Sequence, residues 1–254
     1  NDYAVKVDDE AYDISYSGGY EFDTDTLRLF YQTPVTPNKT FELNMTTKDT
    51  KILRQKVLPN GHDPDEYIVE RKLIAARDGE EVPVTIIRHK STQLDGSAPL
   101  YQYGYGSYGH SIDDTFSSGA ISIVDRGIIY AVAHIRGGGE LGEKWYYGGK
   151  EETKMNTFHD FIDVTEGLTD LGYGKKGEVV MEGRSAGGML MGVVTNLRPD
   201  LYKGVIAGVP FVDVLNTMSD PSLPLTPGEW TEWGNPITDP DTYEMLKSYS
   251  PYEN

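Results

Sequence analysis

A short glycine-rich segment around Ser185 carries the clearest chemical signal in the sequence. Residues 183–187 read Gly-Arg-Ser-Ala-Gly, the G-x-S-x-G pattern, between an apolar run at 179–181 and a helix-like run at 189–197. A strand, this motif and a helix, in that order, are typical of a nucleophile elbow, a tight turn that exposes a serine hydroxyl. We therefore predict that Ser185 is a nucleophile. A chance glycine-rich turn is the alternative, which the flanking elements disfavour.

Acyl transfer to a serine also requires a general base and hydrogen-bond donors for the oxyanion. The backbone N–H of Ala186 is the expected first donor, because it directly follows the nucleophile. Five histidines all precede Ser185: His62, His89, His110, His134 and His159. In the α/β-hydrolase order the acid and the histidine follow the nucleophile, so we expect this chain to be one piece of a longer protein. His110 and His134 are alternative bases, although ordinary hydrogen-bonded or surface histidines are more common.

Two further glycine-rich loops follow apolar runs. Residues 101–109 read Tyr-Gln-Tyr-Gly-Tyr-Gly-Ser-Tyr-Gly, and residues 136–140 read Arg-Gly-Gly-Gly-Glu. Open α/β sheets bind ligands beyond the carboxyl ends of their strands, so a tyrosine hydroxyl in the first loop is a candidate oxyanion donor. The second loop is a candidate for close backbone approach beside the site, with Arg136 as a substrate contact. Ordinary turns are the alternative for both loops.

Two groups of acidic residues are candidates for binding a cationic side chain. They are Asp113 with Asp114, and Glu229 with Glu232. Carboxylates bind guanidinium and ammonium groups through strong, charge-assisted hydrogen bonds. An isolated acidic residue is more often a solvated surface group than a binding residue. The positions of these acids relative to Ser185 decide between the two roles.

The composition limits the classes of function. The 254 residues include 23 basic and 40 acidic side chains, a formal net charge of −17. This charge disfavours nucleic-acid binding and favours cationic partners, although solubility alone also accounts for it. No cysteine is present, which excludes disulfides and thiolate metal sites and fits a reducing compartment. We therefore favour the cytoplasm, with the periplasm as the alternative.

The sequence contains no signal for a membrane span or a cofactor. No apolar run is long enough to span a bilayer. There is no metal-ligand spacing, no phosphate-binding loop and no dinucleotide fingerprint. We expect no membrane partner, no metal and no cofactor, and the sequence does not predict an oligomeric state.

The first third of the chain is predicted to be all-β. Short apolar runs separated by turn residues predict one unit of a sandwich or a propeller blade, with strands at 27–32, 40–44 and 51–54. An Asp-Gly turn at 78–79 predicts a hairpin between 67–76 and 82–89.

From residue 99 onward, strands and helices alternate, which predicts a mostly parallel sheet. The predicted strands cover 100–103, 128–134, 179–181 and 205–209. Helical periodicity predicts a helix over Asn156–Leu171, with Phe158, Phe161, Ile162, Thr165 and Leu168 on one face and Asn156 or Thr157 as its cap. Residues 219–240 are rich in proline, aspartate and tryptophan and are predicted to form an irregular surface loop.

Taken together, these segments resemble the prolyl oligopeptidase family of serine peptidases, and within it the oligopeptidase B branch. The similar segments are residues 103–109, 134–141 with Trp145, 156–158, 183–192, 209–214 and 224–236. The resemblance implies a β-propeller that caps an α/β-hydrolase domain and admits only short peptides. Residues 1–66 would be the C-terminal part of the propeller, and residues 67–254 a peptidase domain that stops before the acid and the histidine.

The resemblance also implies roles for individual residues. Ser185 matches the nucleophile, and Tyr105 matches the tyrosine that binds the oxyanion. Oligopeptidase B cleaves after Arg and Lys, using acids that Glu229 and Asp113 match. The family often has further acids where this chain has Thr115 and Thr231.

We therefore expect a serine oligopeptidase that cleaves short peptides after Arg or Lys and is inactive as residues 1–254 alone. The neighbouring acids Asp114 and Glu232 could compensate for the two threonines. An esterase or acylaminoacyl-type hydrolase on the same fold is the first alternative, which the acids disfavour. A non-catalytic peptide-binding module is the second.

Overall fold

An antiparallel sheet of four strands forms the N-terminal part of the molecule. The computed structural model describes residues 3–254, so the first two residues of the predicted segment 1–66 lie outside the described residues. The strands follow one another in the sheet as in the chain: β1 Asp13–Ser17, β2 Thr26–Gln32, β3 Lys39–Asn44 and β4 Thr50–Gln55. The three predicted strands are confirmed. Sequence reasoning missed β1, which has only one aliphatic side chain, Ile14.

A mixed sheet of six strands forms the larger part. Its strands are β5 Tyr67–Ala75, β6 Glu81–His89, β7 Leu100–Gly104, β8 Ile129–Ala133, β9 Val179–Arg184 and β10 Tyr202–Gly208. Their order is β10-β9-β7-β8-β6-β5, and β7 to β10 are parallel to their neighbours among these four. The predicted hairpin and strands are confirmed. The chain passes from β7 to β8 on one side and later to β9 on the other, so β7 marks the switch point where such sheets bind ligands.

Helices cover both faces of this sheet. They are α1 Ser118–Val124, α2 Glu143–Tyr147, α3 Met155–Asp170, α4 Ala186–Leu197, α5 Val214–Met218, α6 Thr226–Trp233 and α7 Pro240–Tyr249. The predicted apolar face of α3 is buried in the main core with α4, whereas α1 packs with Ile87 and Val35 in a second cluster. Because Val35 follows β2 and Ile87 lies in β6, this second cluster joins the two sheets. Among residues 3–254, no helix combines the length and apolar character needed to cross a bilayer.

Two details of the predicted helices are wrong. Residue 154 is the N-cap of α3, and no side chain caps this helix. Thr157 is fully buried, and its hydroxyl donates to the carbonyl oxygens of Arg136 and Gly149 instead. Within 219–240, residues 226–233 form α6 rather than an irregular loop, because proline at the start of a helix loses no hydrogen bond and Trp233 is buried in the core.

A buried ion pair anchors α3 to the loop that follows β8. Arg136 is 6% exposed, and its Nε lies 2.9 Å from Asp160 Oδ2, while its Nη1 lies 2.6 Å from Asp78 Oδ2. The backbone N–H of Arg136 also donates to Asp160. Burial raises the pKa of Asp160, and the adjacent guanidinium opposes this rise. The pair fixes the loop against the helix, and removing either partner would leave the other charge buried.

Asp160→Ala is expected to lower the free energy of unfolding by about 3–5 kcal/mol, because it leaves the Arg136 guanidinium without its buried partner. Urea denaturation monitored by circular dichroism measures this change. Lys144→Ala is the matched control, because it removes an ion pair with Glu80 in which the lysine side chain is 82% exposed, and little change is expected. Equal effects of the two substitutions would contradict the anchoring role.

Candidate active site

Ser185 lies in a strained turn between β9 and α4. Its backbone has φ +56° and ψ −118°, in the left-handed region that residues other than glycine rarely adopt. Hydrogen bonds hold this conformation: the Ser185 N–H donates to Gly208 O at 2.9 Å, and the Ser185 carbonyl accepts from Gly188 and Phe211. The side chain is exposed. The predicted strand, turn and helix are therefore present, with the serine hydroxyl presented at the start of the helix.

Glycines let three backbone segments meet beneath this turn. A Cβ atom on Gly183 would lie 2.2 Å from Gly187 O, and one on Gly187 would lie 2.8 Å from Gly104 O. Neither contact is compatible with a side chain. The ends of β7 and β9 and the first turn of α4 are thus in direct backbone contact, which places the loop after β7 beside Ser185.

A cavity of about 350 Å³ opens next to Ser185. Its wall is mainly apolar and includes Phe211, Met218, Leu223, Leu225 and Trp233. Within the described part of the chain, Glu229 is the one acidic residue that lines it. The cavity can therefore hold a long side chain with an apolar stem and a polar end.

Two donors fix the Glu229 carboxylate. Its Oε2 accepts from the Tyr108 hydroxyl at 2.7 Å and from Trp233 Nε1 at 3.0 Å. Burial and the adjacent Glu229 raise the pKa of Tyr108, so the phenol remains a donor. The Glu229 Oε1 atom has no protein partner among residues 3–254, so it is available to a ligand.

Glu232 is not available in the same way. It is 3% exposed, and its two oxygens accept from the Tyr108 backbone N–H at 2.7 Å and the Tyr146 hydroxyl at 2.6 Å. The suggestion that Glu232 compensates for Thr231 is therefore wrong, because its carboxylate is used to join α6 to the loop after β7.

Tyr105 lies beside the first turn of α4. Its Cδ2 atom is 3.3 Å from the position of a Cβ on Gly187, and its ring packs against Tyr108 and His110. Burial raises the pKa of the Tyr105 phenol, which keeps its hydroxyl protonated at neutral pH. No hydrogen bond within residues 3–254 engages that hydroxyl, so it is free to donate to a ligand.

No histidine of the described chain lines the cavity beside Ser185. The His110 ring packs against the Tyr105 ring in a T-shaped arrangement, with 5.4 Å between ring centroids. His134 is buried and bonds to Thr85 Oγ1 at 2.8 Å. The structure therefore brings neither alternative base to this cavity.

The other predicted binding residues lie elsewhere. Asp113 and Asp114 line a second cavity of about 440 Å³ that does not include Ser185. Asp114 is paired with Arg71 and accepts from Thr85 Oγ1 at 2.7 Å, so it cannot readily compensate for Thr115. The position of Arg136 does not support the predicted substrate contact, because its guanidinium is buried and paired with Asp78 and Asp160.

Sequence reasoning missed the aromatic residues that build the cavity. Tyr108, Phe211 and Trp233 line it, and two of them hold Glu229. The available signal was the Trp-Thr-Glu-Trp segment at 230–233, whose helical spacing puts Trp233 one turn after Glu229.

The sheet with a switch point at β7, the strained serine turn after β9 and the helix α4 that begins directly after this turn define an α/β-hydrolase fold with a serine at its nucleophile elbow. Residues 114–254 match the model of the prolyl oligopeptidase family. The chain belongs to this family, whose known structures combine the α/β-hydrolase fold with a β-propeller.

The individual relatives agree with this assignment. Dipeptidyl aminopeptidase BI of Pseudoxanthomonas mexicana is 48% identical over 255 residues, which cover 100% of this chain and 35% of that protein. Protease 2 of Moraxella lacunata is 38% identical over 98% of this chain and 36% of that protein. Oligopeptidase B from Trypanosoma brucei, solved with covalently bound antipain, superposes with a TM-score of 0.91 at 42% identity, covering 98% of this chain and 35% of that one. The chain thus spans about a third of the length of these relatives.

Gly183→Ala is expected to lower the free energy of unfolding by about 2–3 kcal/mol, because the new methyl group collides with the Gly187 carbonyl. Gly228→Ala is the matched control: no atom lies within 4 Å of its Cβ position, and alanine in a helix is worth up to about 1 kcal/mol over glycine. Chemical denaturation of both variants measures the difference. If Gly183→Ala were as stable as the control, the proposed backbone contact would be refuted.

Proposed function

We propose that this chain carries the nucleophile and the primary specificity pocket of a serine oligopeptidase that cleaves short peptides after Arg or Lys. The observation that carries the proposal is the Glu229 carboxylate, fixed by two donors in an apolar cavity beside Ser185. An apolar wall accommodates the methylenes of arginine or lysine, and a fixed carboxylate binds the cation at the end.

In the proposed reaction, Ser185 Oγ attacks the carbonyl carbon of the scissile peptide bond. The Ala186 N–H and the Tyr105 hydroxyl donate to the oxyanion that forms. The start of α4 adds the favourable field of a helix N-terminus. A general base takes the Ser185 proton and donates it to the amine, which leaves as the C–N bond breaks, and water then hydrolyses the acyl-enzyme through the same proton transfers.

The proposed base and its acid come from sequence outside residues 1–254. Two observations support this: no histidine of the described chain lines the Ser185 cavity, and the curated relatives are about three times as long. In this proposal residues 67–254 belong to the peptidase domain and residues 1–66 to the end of the propeller.

One carboxylate, rather than two, is proposed to bind the Arg or Lys side chain of the substrate residue that precedes the cleaved bond. Thr231 stands where a further acid is often found, and Glu232 is engaged by Tyr108 and Tyr146. Asp113, exposed at the second cavity, is proposed to contact a second basic residue of the substrate. A single carboxylate predicts a measurable but moderate preference for basic residues.

The position of cleavage is open to a second possibility, because the relative with 48% identity is named a dipeptidyl aminopeptidase. Peptides of equal sequence with free and acetylated amino termini distinguish the two. Equal cleavage of both forms supports an endopeptidase. Release of dipeptides from the free form, but not from the acetylated form, supports an enzyme that removes dipeptides from the amino terminus. An apolar ester pocket would not place a carboxylate at its wall, so we do not favour an esterase.

Ser185→Ala is expected to lower kcat for an arginyl peptide by about four orders of magnitude or more in the complete enzyme, because the nucleophile is lost. Residues 1–254 expressed alone are expected to show no turnover above background. Release of a fluorescent amide measures both. Robust cleavage by residues 1–254, abolished by Ser185→Ala, would refute the proposal that the base lies outside them.

Glu229→Gln is expected to lower kcat/KM about 10- to 100-fold for a substrate with arginine before the cleaved bond, because the charge-assisted hydrogen bond is lost. The amide oxygen can still accept from Tyr108 and Trp233, so the cavity is retained. Citrulline, a neutral analogue of arginine, is the matched substrate and should be cleaved nearly equally by both enzymes. Equal losses for the two substrates, or a wild-type preference for proline, would contradict the assigned pocket.

A further inference from the structure

A fully buried lysine lies beneath the loop that carries Tyr105. Lys154 is 1% exposed. Its Nζ donates to Gly106 O at 2.7 Å, Ser107 Oγ at 3.0 Å and Gly149 O at 3.1 Å. An ammonium group has three donors, so these acceptors satisfy the charged form completely.

Two aromatic rings lie close to the Lys154 ammonium group. No carboxylate of the described chain pairs with it directly, and the Trp233 and Phe158 rings lie 5.2 Å and 6.0 Å from its Nζ. Burial lowers the pKa of Lys154 to about 7, and the charge of Glu232 opposes this decrease. Burying a lysine in this way is costly, and a methionine would fill the same space at lower cost.

The contacts of Lys154 converge on the candidate active site. Gly106 and Ser107 directly follow Tyr105 in the chain, so two of the three acceptors of Lys154 belong to the loop that carries Tyr105. On its other side, Lys154 contacts the face of Trp233, whose indole N–H binds Glu229. One ammonium group therefore supports both the candidate oxyanion donor and the residue that fixes the specificity carboxylate.

We propose that Lys154 is a positioning residue that fixes the backbone after Tyr105 and so holds the Tyr105 hydroxyl in place to bind the oxyanion. This inference rests on the proposed function. It assigns a catalytic consequence to a side chain that touches neither the substrate nor Ser185. The alternative is that Lys154 only stabilises the fold, in which case its effect would not depend on the Tyr105 hydroxyl.

A double-mutant cycle in the complete enzyme separates the two possibilities. Tyr105→Phe is expected to lower kcat about 100- to 1,000-fold, as loss of an oxyanion donor does. Lys154→Met is expected to lower kcat about 10- to 100-fold, because small displacements of a catalytic group are costly, with KM changed less than about threefold. In the Tyr105→Phe background, Lys154→Met should have little further effect on kcat.

Thr165→Val is the matched control, since Thr165 is equally buried in α3 and bonds to Gln102 and Tyr202 rather than to the Tyr105 loop. Its effect on kcat should be the same with and without the Tyr105 hydroxyl. If Lys154→Met does not fold, Ser107→Ala removes one of the three acceptors and should show the same dependence on Tyr105, with a loss of about two- to fivefold.

The outcomes are distinguishable. The positioning role would be overturned if the kcat losses of Lys154→Met and Tyr105→Phe multiply in the double variant, or if those of Ser107→Ala and Tyr105→Phe do. The proposed function would then remain intact. A peptidase activity that Ser185→Ala does not affect would overturn both proposals.

Discussion

The candidate site depends on the backbone contact between the end of β9 and the start of α4. The missing side chains of Gly183 and Gly187 allow this approach, and the resulting turn is too tight for Ser185 to adopt an ordinary backbone conformation. The strain is held by the hydrogen bonds of Ser185 to Gly208 and Phe211, which belong to β10 and the segment after it. The sheet and α4 together, rather than the local sequence alone, therefore determine where the serine hydroxyl points.

On the opposite side of the cavity, tyrosine and tryptophan residues donate hydrogen bonds to the carboxylates of Glu229 and Glu232. Tyr108 contributes its backbone N–H to Glu232 and its hydroxyl to Glu229, so one residue links both acids to the loop after β7. The two acids therefore have different chemical roles despite similar sequence contexts. Glu232 is consumed in joining α6 to the loop, whereas one oxygen of Glu229 remains for a ligand. Because the Tyr105 loop participates in both sides, the proposed specificity pocket and the proposed oxyanion donor are structurally coupled.

The predictable features were those encoded by local periodicity and by a short motif. Short apolar runs, bounded by turn residues, located nine of the ten strands, and G-x-S-x-G placed Ser185 correctly between a strand and a helix. Contacts between distant segments were not predictable. The burial of Thr157 overrode its tendency to cap α3, and the packing of Trp233 made α6 helical in a proline-rich stretch. Likewise, Arg136 was predicted to contact substrate, because the sequence does not reveal its pairing with Asp160, which lies 24 residues later.

The central claim is that Ser185, Tyr105 and Glu229 act on one substrate residue. The most direct test is a crystal structure of the complete enzyme with a peptide aldehyde that ends in arginine. The account predicts a covalent bond from Ser185 Oγ to the aldehyde carbon. It also predicts the new oxygen within hydrogen-bonding distance of the Ala186 N–H and the Tyr105 hydroxyl, and the guanidinium at Glu229. A guanidinium bound outside the Glu229 cavity, or an aldehyde attached to another residue, would contradict it.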